Sequence, residues 1–367
     1  MRAIPTPGGV LTAASNVYAK VSGRGLADLR PVPRSLIDSG PQRSVYRLQN
    51  PSGRTAEGDP VLLVPPLAAP ALCFDLRRGA SLAEYLVTSG RPTYLVDYGT
   101  IGYSDRALGI EHWVDEVLPR AIDAVSADRG GAGVHLVAWS LGGIFALLTA
   151  AAGRALPIAS ITAVASPIDI TQIPLIAPIR PLVDLTRGLA ITGAYRILGA
   201  APRTLVRWAF QLSSVDKYIT KPAAILTHLD DTEFLAQIEA VDHFTDNMIA
   251  YPGRTFGQLY HLLFRANDLC SGSMELGGRK ISLAAVRVPV LVVAGEADGI
   301  APQSAVKRVV SLLEAAPEVR YRVAPGGHLG VLTGRNARST TWVAIDEFLT
   351  DKQRSPSSSP DETPRTA

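Results

Sequence analysis

The stretch that most constrains this 367-residue chain is Val134 to Ala152. Val134-His-Leu-Val-Ala-Trp139 reads as a short buried strand and Leu141 to Ala152 as an apolar helix, with Ser140 alone between them. So abrupt a strand-to-helix reversal leaves room only for small side chains two positions before and after its centre, and Ala138 and Gly142 meet that demand. The central residue is held in a strained backbone conformation with its side chain exposed. The helix beginning at Leu141 points free N–H groups and its positive dipole end at the Ser140 hydroxyl, where negative charge develops during acyl transfer. Ser140 is therefore the candidate nucleophile.

A serine nucleophile needs a base, and the base needs an acid to orient it. Val288-Pro-Val-Leu-Val-Val-Ala-Gly295 is the continuous apolar run expected of a strand buried in a parallel sheet, and Glu296 and Asp298 follow it. Both lie beyond the carboxyl end of that strand, where such sheets place their sites. Asp298 is favoured because Gly299-Ile-Ala-Pro302 turns into the next helix and leaves the aspartate in the loop, with capping of that helix as its other reading. Glu318 to Ala324 alternates as a strand before Pro325-Gly-Gly-His328-Leu-Gly330, so His328 sits in a glycine-rich loop free to reach a serine. His135 lies inside the strand before Ser140 and is expected to be buried; His112, His228, His243 and His261 fall in expected helices. The order Ser140, Asp298, His328 is that of the α/β-hydrolases. An oxyanion hole then requires the N–H of Leu141 and a second donor after the strand Asp59 to Val64. In the loop Pro65-Pro-Leu-Ala-Ala-Pro70 the prolines cannot donate, which narrows that donor to Leu67, with Ala68 its neighbour.

The rest of the chain is consistent with one catalytic fold. Strands and helices alternate from Ser44 to Ser166, giving a mostly parallel twisted sheet with helices on both faces. The expected division is a leader at 1–40, irregular with some helical character around Leu11 to Val21, an α/β-hydrolase core at 41–166 and 283–350, a helical cap inserted at 167–282 and a disordered tail at 351–367. Within the core, Leu72 to Ser89 is expected to be a helix. A formal net charge of +3 gives no nucleic-acid footprint. Cys73 and Cys270 form neither a disulfide framework nor a metal motif, which favours a reducing, cytoplasmic setting. The sequence calls for no cofactor and no metal. Neither a signal peptide nor a transmembrane segment is expected.

Several separate motifs resemble one family. Leu62-Leu-Val-Pro-Pro-Leu67, Phe74-Asp-Leu-Arg-Arg78, Tyr94-Leu-Val-Asp-Tyr-Gly99, the Ser140 turn, Tyr260 with Asn267-Asp-Leu, Gly277-Gly-Arg-Lys-Ile-Ser-Leu283, Gly295 to Pro302 and Gly326 to Val331 are similar in kind and order to the poly(3-hydroxyalkanoate) synthases and their α/β-hydrolase relatives. The resemblance implies an acyl-type substrate and the same three site positions. Polymerising synthases carry cysteine at the turn, where this chain has Ser140, and the strand end is Asp97-Tyr98-Gly99 where the family pattern has tryptophan. A serine ester is less suited than a thioester to repeated exchange, and water assisted by His328 can discharge it.

The expected activity is accordingly a serine hydrolase cleaving lipid-like or hydroxyacyl esters. Two other readings stay open: an acyltransferase using acyl-CoA thioesters, and a non-catalytic protein of a lipid or polymer surface. The expected partner is a small-molecule or lipid-like acyl substrate, with a peripheral lipid or polymer contact and a homodimer also open. Ile173 to Ile179 and Leu205 to Phe210 are candidates for lining an acyl channel or, equally, for packing cap onto core.

Overall fold

The computed structural model describes residues 7–51, 53, 55–173, 200–201, 203–204, 207 and 215–354. Its framework is an eight-stranded sheet of β1 (Arg34–Gly40), β2 (Arg43–Leu48), β3 (Val61–Val64), β4 (Thr93–Asp97), β5 (Val134–Trp139), β6 (Ile158–Val164), β7 (Val290–Gly295) and β8 (Val319–Ala324). The spatial order is β1-β2-β4-β3-β5-β6-β7-β8. The β1–β2 and β2–β4 pairs are antiparallel and every other pair is parallel. Helices cover both faces, so every residue of β3, β5 and β7 is buried and all three read as unbroken apolar runs apart from His135.

The principal helices are α1 (Pro7–Val21), α2 (Leu82–Thr88), α3 (Leu118–Asp128), α4 (Leu141–Ala151), α5 (Val215–Thr227), α6 (Thr232–Asp246) and α7 (Thr341–Arg354). All of α4 except Ala150 is buried, which explains why it is apolar all round rather than striped. Burying Ile144, Phe145, Leu147 and Leu148 stabilises the fold by about 1.5–3 kcal/mol for each side chain. That anchoring keeps the N-terminus of α4, and Ser140 with it, in a fixed place.

Four expectations are corrected. The leader at 1–40 is more regular than expected: α1, over Pro7–Val21, takes in the helical character expected around Leu11 to Val21, and β1 pairs with β2 at the sheet edge. Leu72 to Ser89 is not one helix, because Asp75 bridges to Ser81 and only Ala71–Phe74 and α2 are helical. The inserted region is not wholly helical, since Ser273–Leu276 and Arg279–Ser282 form an antiparallel hairpin and Ala200–Ala201 pairs with Tyr251–Pro252. Residues 351–354 belong to α7. Of the suggested channel segments, Ile173 is buried, while Pro174 to Ile179 and most of Leu205 to Phe210 lie outside the described residues.

His135 is buried, as its place in β5 requires. Its Nδ1 is 2.7 Å from Ser160 Oγ on β6. Its Nε2 has no hydrogen-bond partner, and the half-solvated Asp59 carboxylate at 3.9 Å is too distant to hold a proton there. Burial, reinforced by the Arg91 charge, lowers its pKa from 6.5 to about 4. The folded chain thus takes up this proton less readily than the unfolded chain does, so stability is complete above the unfolded value and falls as pH drops towards the folded one. Between pH 7 and 5 the wild type is expected to lose about 2 kcal/mol that His135→Gln does not lose, measured by urea unfolding at both pH values.

Candidate active site

The site is assembled at the carboxyl ends of β5, β7 and β8. Ser140 follows β5 immediately and has φ +54° and ψ −124°, an uncommon conformation for any residue but glycine. It is held there from both sides: its N–H donates to Val164 O at 2.8 Å, and the Gly143 N–H donates to its carbonyl at 3.0 Å. His328 Nε2 lies 2.9 Å from Ser140 Oγ. On the other side of the imidazole, Nδ1 lies 2.9 Å from Asp298 Oδ2. The structure therefore brings all three residues into one hydrogen-bonded chain, half-buried at Ser140 and buried at Asp298 and His328.

Asp298 serves the turn as well as the histidine. Its Oδ1 accepts the N–H groups of Ile300 and Ala301, each at 2.8 Å, leaving Oδ2 for His328. Burial by itself raises the carboxyl pKa, but the His328 charge and hydrogen bond with the two backbone N–H groups outweigh it, and the carboxyl stays below its ordinary range. Glu296 is exposed and takes no part in the chain. The loops after β7 and β8 are tied together, with Glu296 N–H donating to Ala324 O and Ala297 N–H to Gly326 O, both at 2.9 Å. The acid and the histidine are thus set by a shared backbone contact.

The loop holding Leu67 lies against the turn. A Cβ on Gly142 would sit 2.6 Å from Val64 O and 2.7 Å from Pro65 O, so only glycine lets α4 approach the end of β3 so closely. Leu67 is buried within this loop, Ala68 beside it has φ +69°, and Leu141 offers the N–H of the first residue of α4. Two further contacts fix the loop: Tyr98 Oη donates to Pro65 O at 3.1 Å, and the Ile249 N–H donates to Ala68 O at 2.8 Å. Burial holds the Tyr98 phenol far above its usual pKa, so it remains a donor. Gly142→Ala is expected to cost about 3 kcal/mol, because its new methyl meets backbone oxygens that cannot rotate away, and to be read as a lower melting midpoint together with weakened activity.

Trp139 is the residue the sequence reading did not assign. Its indole N–H donates to His328 O at 3.0 Å, and its ring lies 5.0 Å from the imidazole and 6.2 Å from Phe244 on α6. It carries the histidine loop on the strand that precedes the serine. No local pattern marks it, because its partner His328 lies 189 residues away in the sequence. Trp139→Phe keeps most of the packing but leaves a buried carbonyl unsatisfied, a cost of about 1–3 kcal/mol; turnover is expected to fall about tenfold with KM little changed.

Among the described residues no group of three His, Cys, Asp or Glu is placed to hold a metal ion, and no helix is long and apolar enough to cross a membrane. No family model matches the chain. It is similar to the poly(3-hydroxyalkanoate) polymerase subunit PhaC of Allochromatium vinosum, 24% identical over 345 residues that cover 91% of this chain and 95% of that one. The corresponding subunit of Thiocystis violacea is 23% identical, over 87% of this chain and 88% of its own length. Among solved structures, the monoacylglycerol lipase of Paleococcus ferrophilus matches with a TM-score of 0.51 and 17% identity, covering 84% of this chain and 99% of the lipase. Mouse α/β-hydrolase domain-containing protein 10 matches with a TM-score of 0.51 and 14% identity, covering 87% of this chain and 99% of its own. At those identities the structural matches speak for the fold.

Proposed function

We propose that this chain, which has the α/β-hydrolase fold and is similar to PhaC polymerase subunits along 91% of its length, is a serine hydrolase of lipid-like or hydroxyacyl esters. The observation that carries the reading is the continuous chain from Ser140 Oγ through His328 to Asp298. His328 Nε2 takes the hydroxyl proton as Ser140 Oγ attacks the ester carbonyl. The N–H groups of Leu141 and Leu67 receive the oxyanion of the tetrahedral intermediate. Its collapse breaks the ester C–O bond, His328 gives its proton to the departing alcohol, and the acyl group remains on Ser140. Water, deprotonated by His328, then attacks the acyl carbonyl; the second tetrahedral intermediate breaks its bond to Ser140 Oγ, His328 returns the proton to that oxygen, and the acid leaves. Asp298 remains ionised and keeps the imidazole in the tautomer whose free Nε2 faces the serine.

Similarity to polymerase subunits favours one second reading. In that reading the acyl group arrives as a CoA thioester and leaves to a hydroxyl acceptor instead of water. Incubation with esters of graded acyl length and, separately, with a 3-hydroxyacyl-CoA separates the two. Free acid from the esters, with little thiol release from the thioester, is the expected result; rapid CoA release accompanied by ester-linked oligomers would replace hydrolysis with acyl transfer.

A further inference from the structure

A surface helix normally turns its apolar stripe inward. In α1 the arrangement is reversed. Val10, Leu11, Ala14, Val17, Tyr18 and Val21 share one face, within roughly 120° of arc at helical spacing, and all are exposed, with Leu11 at 73%, Tyr18 at 62% and Val21 at 83%. The inward face centres on Asn16, a polar residue that is buried. Its Nδ2 donates to Leu229 O at 2.8 Å, and its Oδ1 accepts from Thr232 Oγ1 at 3.0 Å. The segment after the helix is fastened as well, through the Leu26 N–H on Glu239 Oε2 at 3.0 Å. The helix is thus fixed to α6 by polar contacts while its apolar side faces solvent.

Within α1 and the turn that follows it the charged side chains are basic, while α6 brings Glu239 to the Leu26 N–H. Residues 1–27 include Arg2, Lys20 and Arg24 and no acidic residue. Lys20 lies in the last turn of α1, and the Arg24 guanidinium stands 5.9 Å from the centre of the Tyr18 ring. A second copy meeting this patch about a twofold axis would oppose Lys20 and Arg24 to their own counterparts, with no acid within residues 1–27 to pair them, so self-association through the face is disfavoured.

We propose that the outer face of α1 docks the protein onto an anionic phospholipid surface. The apolar side chains enter the boundary between headgroups and acyl chains, and Lys20 and Arg24 meet the phosphates. The docked helix is joined through Asn16 to Thr232 of α6, the helix whose Phe244 lies against Trp139 beside the candidate site. The assignment does not depend on Ser140 being a nucleophile.

Co-sedimentation of the full chain carrying Ser140→Ala tests it without lipid turnover, using phosphatidylcholine vesicles with and without phosphatidylglycerol. The expected result is sedimentation with the anionic vesicles that falls as salt is raised. Lys20→Gln with Arg24→Gln should weaken partition about 25-fold, about fivefold for each charge. Leu11→Ser with Tyr18→Ser should weaken it on anionic vesicles with an unchanged melting midpoint, since both side chains are exposed. Failure of the parent to sediment with anionic vesicles, or equal partition of parent and variants, would overturn the proposal. So would a concentration-dependent dimer that Leu11→Ser with Tyr18→Ser dissolves, which would assign the face to a second copy.

Discussion

Ser140→Ala is expected to lower ester turnover by about 10⁴-fold or more while leaving the melting midpoint close to that of the wild type. The loss is large because every covalent step passes through Ser140 Oγ, whereas the residual rate comes only from binding and the oxyanion donors. Stability should change little. Oγ is half-buried and its side-chain partner is His328 Nε2 at 2.9 Å, a contact facing the substrate side of the site. The hydroxyl also contributes nothing to the backbone bonds from the Ser140 N–H to Val164 O and from the Gly143 N–H to the Ser140 carbonyl. Turnover of an activated ester together with a thermal melt separates a chemical loss from a folding one.

Asp298→Asn is expected to lower kcat by about 10⁴-fold with KM nearly unchanged. The carboxylate accepts on both oxygens, from Ile300 and Ala301 on Oδ1 and from His328 on Oδ2. An amide keeping the two backbone donors on its oxygen presents its NH₂ to His328 Nδ1. The imidazole must then carry its own proton on Nε2, which donates towards Ser140 and cannot take the hydroxyl proton. Kinetics over a range of substrate concentrations check this directly, and a rise in KM with kcat retained would assign Asp298 to positioning the turn rather than to orienting the base.

The candidate site was legible in the sequence because each of its parts is a local backbone event with its own residue signal. The small residues about Ser140, the glycine-rich loop of His328 and the strand before Asp298 are all short-range patterns. The buried core strands β3, β5 and β7 were likewise legible from their apolar runs. What was not legible depended on distant partners. Arg34–Gly40 is an edge strand in which every residue is exposed or half-buried, so it lacks the apolar alternation that marks a strand. Leu72 to Ser89 has helix-forming content, but the Asp75–Ser81 bridge and Gly79 at φ +79° override it. Trp139 acquires its role only when the chain brings it to His328, 189 residues away. One feature was readable and overlooked: Gly277-Gly278, both at positive φ, is the two-residue turn of the hairpin between Ser273 and Ser282.

Intact mass after exposure to a fluorophosphonate, compared among wild type, Ser140→Ala and His328→Ala, tests the central claim most directly. The account predicts one phosphonyl adduct on the wild-type chain, none on Ser140→Ala and strongly slowed labelling of His328→Ala. A folded wild type that stays unlabelled, or a Ser140→Ala chain that labels equally well, would contradict it and leave the fold without the serine chemistry assigned to it.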